Sequence, residues 1–106
     1  MIDLAGRSAV VTGGSRGIGR ASAVLLARAG ADVAVTYHTR RAEAEAVVAE
    51  IRALGRRGFA LGGDLSDPDT ARRLAAEVAR QFGGLDCFVA NAGIWPADEV
   101  PLARHG

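Results

Sequence analysis

The stretch Thr12–Gly19 reads TGGSRGIG and decides the fold class of this chain. A short apolar run, Ser8–Thr12, leads into it and is typical of a buried strand. An amphipathic pattern that begins near Gly17 follows it and predicts a helix. Glycines at this point allow a tight turn, and unpaired N–H groups at a helix start favour an anion such as a pyrophosphate. The stretch therefore predicts a nucleotide-binding loop, with a glycine-rich connection that binds nothing as the alternative.

The alternation of strand and helix continues along the chain. Further strands are predicted at Asp32–Tyr37, Gly58–Gly62 and Cys87–Ala90, and further helices begin near Arg41 and Pro68. Apolar strands that alternate with amphipathic helices indicate an α/β fold with a parallel sheet. We expect the N-terminal half of a Rossmann-type doubly wound sheet, with four strands in the order 3-2-1-4 and three helices. Right-handed crossovers place the first two helices on one face and the third on the other.

Two expectations concern packing. The first helix is expected to face the core with an apolar stripe formed by Ile18, Ala21, Leu25 and Ala29. The fourth strand is expected to have no outer neighbour, because the sequence after Gly93 shows no developed pattern. A bare strand edge invites pairing with another chain. We therefore expect self-association, or pairing with a different chain, through Cys87–Ala90.

Composition narrows the class of protein. The 106 residues suffice for a single domain, expected to span 1–106, and 49% hydrophobic with 24% charged residues is ordinary for a globular chain. Thirteen basic and twelve acidic residues are interspersed and give a net charge of +1, so neither nucleic acid nor a membrane surface is expected as a partner. A single cysteine, Cys87, excludes an internal disulfide and fits a reducing, cytoplasmic location. No signal peptide and no membrane span are recognisable.

Two more motifs follow later strands, and together with the glycine loop they suggest a family. Asp64-Leu65 follows the third strand, and Asn91-Ala92-Gly93 follows the fourth, preceded by Ala90. With Thr12–Gly19 these motifs resemble the short-chain dehydrogenase/reductase family from about residue 7 to about residue 102. The nearest resemblance is to 3-oxoacyl-carrier-protein-reductase-like members. It implies NAD(P)-dependent transfer of hydride between a carbonyl and an alcohol.

The motifs and the resemblance together give a set of cofactor-binding candidates. The candidates are Gly13, Ser15, Arg16, Gly17, Ile18, Gly19, Arg40, Asp64, Leu65, Asn91, Ala92 and Gly93. The second strand ends without an acidic residue to repel a 2′-phosphate, and Arg16 and Arg40 are placed to approach one. NADP is therefore expected over NAD. The alternatives are that Asp64 only holds the turn before the third helix and that Arg40 belongs to a solvated first turn.

The chain departs from the family where chemistry is concerned. The family's catalysis uses a Tyr-x-x-x-Lys motif, but this sequence has one tyrosine, Tyr37, and no lysine. We therefore expect no catalytic residue and no activity from this chain alone, which looks truncated. Two scattered histidines and one cysteine predict no metal site. The first interpretation is the cofactor-binding half of an NADP(H)-dependent oxidoreductase. The alternatives are a non-catalytic nucleotide-binding or subunit-interaction module and a defective truncated gene product.

Overall fold

The computed structural model describes residues 3–13, 17–90 and 93–96. The elements within these ranges are β1 (Ser8–Thr12), α1 (Gly17–Arg28), β2 (Asp32–Tyr37), α2 (Arg41–Ala53), β3 (Gly58–Gly62), α3 (Pro68–Phe82), β4 (Cys87–Ala90) and β5 (Gly93–Pro96). Every predicted strand and helix is present, and β5 is an addition that the sequence did not predict. None of these helices is long and apolar enough to cross a membrane.

The described strands form one sheet in the order β3-β2-β1-β4-β5. Strands β1 to β4 are parallel to one another, so the predicted order 3-2-1-4 is confirmed. The chain builds outward from β1 to β3 and then returns to the other side of β1. This reversal makes the carboxyl ends of β1 and β4 the switch point of the sheet, which is where open α/β sheets have their ligand-binding crevice.

The expectation of an unpaired outer edge on β4 is wrong. Strand β5 runs antiparallel along that edge, with Cys87 opposite Pro96 and Ala90 opposite Gly93. The four residues of β5 show no alternation of apolar and polar side chains and end in a proline, so nothing in their sequence indicated a strand. Proline is nevertheless compatible with a strand at the border of a sheet. Pairing with another chain through β4 therefore loses its structural basis.

The core divides into two clusters, one on each face of the sheet. On one face, valines of β1, β2 and β4 pack against alanines of α1 and against Val47 and Ile51 of α2. On the other face, Val10 and Phe88 pack against Val78 of α3. The predicted distribution of helices over the two faces is thereby confirmed. Full burial of each such aliphatic side chain contributes about 1.5–3 kcal/mol.

The face of α1 that packs on the sheet consists of small residues. Gly19, Ala23 and Ala27 are buried, whereas Ile18 is 79% and Leu25 is 67% exposed. The predicted apolar stripe is therefore wrong, because it lies on the opposite side of the helix. The buried residues recur every four positions and share one face. Their small size lets the axis of α1 lie close to β1 and β2.

Arg57 joins three elements at the amino end of the sheet. Its backbone N–H and its Nε donate to the two carboxylate oxygens of Asp32, each at 2.9 Å. Its guanidinium also donates to the carbonyl of Gln81 at 3.4 Å and to that of Phe82 at 3.2 Å. The same group lies 5.1 Å from the centroid of the Phe82 ring. Arg57 thus satisfies carbonyls at the end of α3 that no helical N–H can reach.

We expect Arg57→Ala to lower the free energy of unfolding by about 1–2 kcal/mol, because several charge-assisted hydrogen bonds are lost together. The expected loss of stability is small for so many hydrogen bonds, because 60% of the Arg57 side chain is exposed and water screens its charge. Arg57→Lys should restore only part of this loss, since an ammonium group lacks the planar fork. Urea unfolding followed by circular dichroism measures both. Arg41→Ala, which removes a single ion pair with Glu45, is the control and should leave the midpoint unchanged. An Arg57→Lys variant as stable as the wild type would contradict the role of the fork.

Candidate nucleotide-binding site

The candidate site lies along the carboxyl ends of β1 to β4. The connections that leave these strand ends carry most of the predicted cofactor-binding residues. Those described by the structure are Gly13, Gly17, Ile18, Gly19, Arg40, Asp64, Leu65 and Gly93. Ser15, Arg16, Asn91 and Ala92 lie outside the described residues.

Two glycines at the ends of the connection from β1 to α1 have positive φ angles. Gly13 follows β1 with φ +64°, and Gly17 begins α1 with φ +35°. Both values lie in the left-handed region, which residues with a Cβ adopt only with strain. The first turn of α1 contains no acidic side chain, so nothing there opposes an anion at the positive end of the helix dipole. Pyrophosphate binding at this helix start stays a prediction.

The next residues of α1 divide between core and surface. Gly19 is buried in α1, where the absence of a side chain lets helix and strand pack closely, and its predicted contact with the cofactor stays a prediction. Ile18 is 79% exposed in the first turn of the helix. An aliphatic side chain so exposed has no role in the core of the described residues. Its predicted contact with the cofactor therefore stays open.

Thr12 is a positioning residue that the sequence reasoning did not include among the site residues. Its hydroxyl Oγ1 donates to the carbonyl oxygen of Val89 at 3.3 Å. This bond links the end of β1, where the glycine loop begins, to β4. The position of Thr12 as the first residue of the TGGSRGIG stretch was the available signal, but its partner 77 residues away could not be read from the sequence.

Asp64 is exposed in the connection that follows β3. Its Oδ1 accepts hydrogen bonds from the Ser66 backbone N–H at 2.9 Å and from the Ser66 hydroxyl at 2.7 Å. These two bonds, with a smaller contribution from the charge of His38, lower the pKa of Asp64 below its ordinary value. Within the part of the chain that is described, Oδ2 of Asp64 receives no hydrogen bond. Asp64 thus holds its turn with one oxygen and presents the other as an acceptor.

Arg40 stands between the end of β2 and the start of α2. It occupies the N-cap position of α2 without a side-chain capping bond. Its Nη1 instead donates to both carboxylate oxygens of Glu43, at 3.0 and 3.3 Å. The guanidinium is therefore at the edge of the sheet where the sequence placed it, but it is engaged by a neighbour on its own helix.

An open groove of about 600 Å³ runs between α1 and α2, with Arg20, Val24, Glu50 and Leu54 among its lining residues. Arg20 and Glu50 form an ion pair across it. Hydrogen bonding within this pair raises the pKa of Arg20 and lowers that of Glu50. Among the described lining residues, Gly17 at the start of α1 is the one that belongs to the candidate site. We interpret the pair as a contact between two helices and assign no ligand to the groove.

The described residues contain no group of three or more histidine, cysteine, aspartate or glutamate side chains able to hold a metal ion. The polar groups at the strand ends are a glycine-lined helix start, a carboxylate acceptor and a guanidinium donor. Such groups bind the phosphates and the base of a nucleotide through hydrogen bonds.

A parallel sheet whose first strand leads through a glycine turn into a helix at the crevice defines the dinucleotide-binding class of α/β proteins. The model of the short chain dehydrogenase family matches residues 7–105, and the chain belongs to this family of oxidoreductases. The resemblance drawn from the three motifs is therefore confirmed.

Curated relatives include an L-rhamnose 1-dehydrogenase (NAD(P)(+)) of Sphingomonas sp. strain SKA58, 48% identical over 93 residues. A 3-oxoacyl-(acyl-carrier-protein) reductase FabG of Staphylococcus aureus strain Mu50 is 50% identical over 88 residues. These alignments cover 88% and 83% of this chain but only 37% and 36% of the two relatives. The chain thus spans little more than a third of the length of these relatives.

Solved structures give the same result. A short chain dehydrogenase from Burkholderia cenocepacia J2315 in complex with NADP superposes with a TM-score of 0.81 at 52% identity, covering 93% of this chain and 42% of that one. A blue fluorescent protein from a metagenomic library in complex with NADPH superposes with a TM-score of 0.80 at 44% identity, covering 94% and 42%. Both neighbours were crystallised with a phosphorylated nicotinamide dinucleotide.

We expect the turn at Asp64 to make folding stability depend on pH. A carboxyl whose pKa is lowered on folding stabilises the protein above its unfolded pKa, and this contribution is lost as pH falls through the folded pKa. Wild type should therefore be more stable than Asp64→Asn at pH 7, and the difference should shrink between about pH 5 and pH 3. Denaturant midpoints at both ends of this range test it. Ser66→Ala, which removes the largest cause of the shift, should reduce the pH dependence. A difference that stays constant with pH would refute the assignment.

Proposed function

We propose that this chain binds NADP(H) and is the cofactor-binding part of an oxidoreductase that transfers hydride between a carbonyl and an alcohol. Residues 1–106 then form one dinucleotide-binding domain. Family membership and neighbours crystallised with NADP or NADPH support a nicotinamide dinucleotide. The finer choice of NADP over NAD rests on one observation, the charge at the end of β2.

The end of β2 favours a 2′-phosphate over a free ribose diol. From Tyr37 to Arg40 the connection contains no acidic side chain, so no carboxylate is placed to accept hydrogen bonds from the diol or to repel a phosphate. Arg40 lies at this point, beside the N-terminus of α2. A guanidinium recognises a phosphate through paired, charge-assisted hydrogen bonds. We assign Arg40, together with Arg16 in the glycine loop, to the 2′-phosphate.

The remaining groups are assigned along the same edge of the sheet. The glycine turn and the start of α1 bind the pyrophosphate, with Gly13 and Gly17 supplying the backbone conformation. The Oδ2 oxygen of Asp64 accepts a hydrogen bond from the adenine amino group, while Oδ1 keeps the turn in place. We assign Leu65 to the adenine end of the cofactor, and Asn91–Gly93 to the part of the cofactor that lies beside β4. The bound cofactor would supply the hydride.

A non-catalytic nucleotide-binding module is the second candidate, and Tyr37 favours it. The sequence has this one tyrosine and no lysine. The Tyr37 ring packs beside the backbone of Gly62, where an added Cβ would lie 2.9 Å from the ring carbons and the hydroxyl oxygen. Tyr37 therefore lies toward β3 and away from the crevice between β1 and β4. Nothing in this chain pairs a tyrosine with a lysine to deliver a proton.

Self-association remains a prediction. The β4 edge that suggested it is covered by β5, and we propose that Ile18 and Leu25, which are exposed on α1, take part in it instead. Sedimentation velocity at rising concentration tests it, and a monomer at every concentration would refute it.

A cytoplasmic location is likewise proposed, on the ground that Cys87 has no internal partner for a disulfide.

We expect 2′,5′-ADP to bind more tightly than 5′-AMP in calorimetric titrations of the wild-type chain. Arg16→Ala or Arg40→Ala should reduce this preference, because each removes a guanidinium from the 2′-phosphate, with a loss of roughly tenfold for the more important of the two. Arg73→Ala removes the same charge from the exposed surface of α3 and is the control. Equal affinities of the wild type for the two nucleotides would overturn the choice of NADP.

We expect no ketone-dependent NADPH oxidation above background from the purified chain. Loss of general acid–base catalysis of this kind costs on the order of 10² to 10⁴ in rate. Absorbance at the NADPH band, followed with protein free of host reductases, measures it. Sustained NADPH oxidation that coelutes with the purified chain, and is absent from the other column fractions, would contradict the prediction. It would show that another group delivers the proton.

A further inference from the structure

The guanidinium assigned to the 2′-phosphate already has an anionic partner. Arg40 and Glu43 are three residues apart, and Nη1 of Arg40 donates to both carboxylate oxygens, at 3.0 and 3.3 Å. Both side chains are about half exposed, at 46% and 50%. The pair is therefore open to solvent and to any ligand that approaches the end of β2.

Glu43 opposes a phosphate in two ways. It occupies hydrogen-bond donors of Arg40 that a phosphate would use, so a phosphate must displace it or share the guanidinium. It is also the acidic residue in the first turn of α2, where its charge offsets the positive end of the helix dipole. An arriving dianion thus meets a carboxylate within the recognition site itself.

We propose that Glu43 is a specificity-determining residue that holds Arg40 in an ion pair and thereby limits the preference for a 2′-phosphorylated cofactor. The inference rests on the proposed function, because it concerns the same site. The proposal concerns discrimination between nucleotides that differ in the 2′-phosphate, and it assigns Glu43 no part in a chemical step.

The neighbouring pair on α2 provides a matched control. Nε of Arg41 donates to Glu45 at 3.1 Å across four positions of the same helix. Arg41 and Glu45 are both exposed, and their interaction is an ordinary surface ion pair of the kind that contributes little to stability. Glu45→Gln therefore removes the same charge from the same end of α2 without releasing Arg40.

The experiment titrates the full 106-residue chain with 2′,5′-ADP and with 5′-AMP at low salt. Wild type, Glu43→Gln, Glu45→Gln and the double variant Arg40→Gln/Glu43→Gln are compared by the ratio of the two affinities. We expect Glu43→Gln to raise this ratio roughly three- to tenfold, because both competition and repulsion are removed. Glu45→Gln should change it by less than about twofold, and the double variant should lose the gain. Circular dichroism verifies the fold, and Glu43→Ala replaces Glu43→Gln if the latter unfolds.

The outcomes separate this inference from the proposed function. A wild type that prefers 2′,5′-ADP, together with an unchanged ratio in Glu43→Gln, overturns the role of Glu43 and leaves the choice of NADP standing. A wild type without preference that gains one in Glu43→Gln supports the role of Glu43 and overturns the proposed preference. If Glu45→Gln raises the affinity ratio by the same factor, or if the double variant keeps the raised ratio, the effect comes from net charge alone. Either result overturns the inference. A chain that binds neither nucleotide overturns both proposals.

Discussion

The pairing of β1 on both of its edges is the constraint on which the rest of the structure depends. Strand β1 is hydrogen-bonded to β2 on one side and to β4 on the other, and Ser8–Val11 are buried. Its polar backbone groups are satisfied only in this central position. The chain can leave the sheet only at Thr12, where Gly13 turns it toward α1 with a positive φ. The strand order alone thus determines where the switch point at the carboxyl ends of β1 and β4 lies. The side chains around it do not determine this position.

Polar contacts of long and of short range occur at the two ends of the sheet. At the amino end, Ser8 donates to Asp86 at 2.9 Å and to the Gly84 carbonyl at 2.6 Å, across more than 75 residues of sequence. At the carboxyl end, Asp64 bonds to a residue two positions away. Arg40 pairs with a residue three positions away. Thr12 also bonds over a long range at the carboxyl end, because its hydroxyl donates to the Val89 carbonyl 77 residues away. Long-range bonds thus hold the strands of the sheet together at both ends, whereas the bonds of Asp64 and Arg40 stay within their own connections. Such a division is expected where a rigid scaffold carries a binding edge.

The sequence predicted the order and bounds of β1 to β4 because each is a short apolar run that ends at polar or glycine residues. It failed for α1, because the apolar pattern predicts a core face with large side chains such as Leu25, whereas close packing on the sheet selects Gly19, Ala23 and Ala27. It also failed for β5, whose pairing arises from its contact with β4 and not from its own pattern. At the candidate site, the sequence predicted that Asp64 and Arg40 follow β3 and β2, but it did not predict their hydrogen-bond partners Ser66 and Glu43.

Nucleotide binding and proton transfer make different demands on this fold. Binding uses helix starts and loops that emerge from β1, β2 and β3, all of which this chain contains. Proton transfer needs a titratable group beside the reacting carbon, with a neighbour that adjusts its pKa. Tyr37, the one tyrosine of the sequence, packs beside Gly62 at the β3 side of the sheet, and the sequence contains no lysine. The two demands therefore fall on different residues, and the ion pair of Arg40 with Glu43 lies at the edge of the sheet that the proposed function assigns to binding.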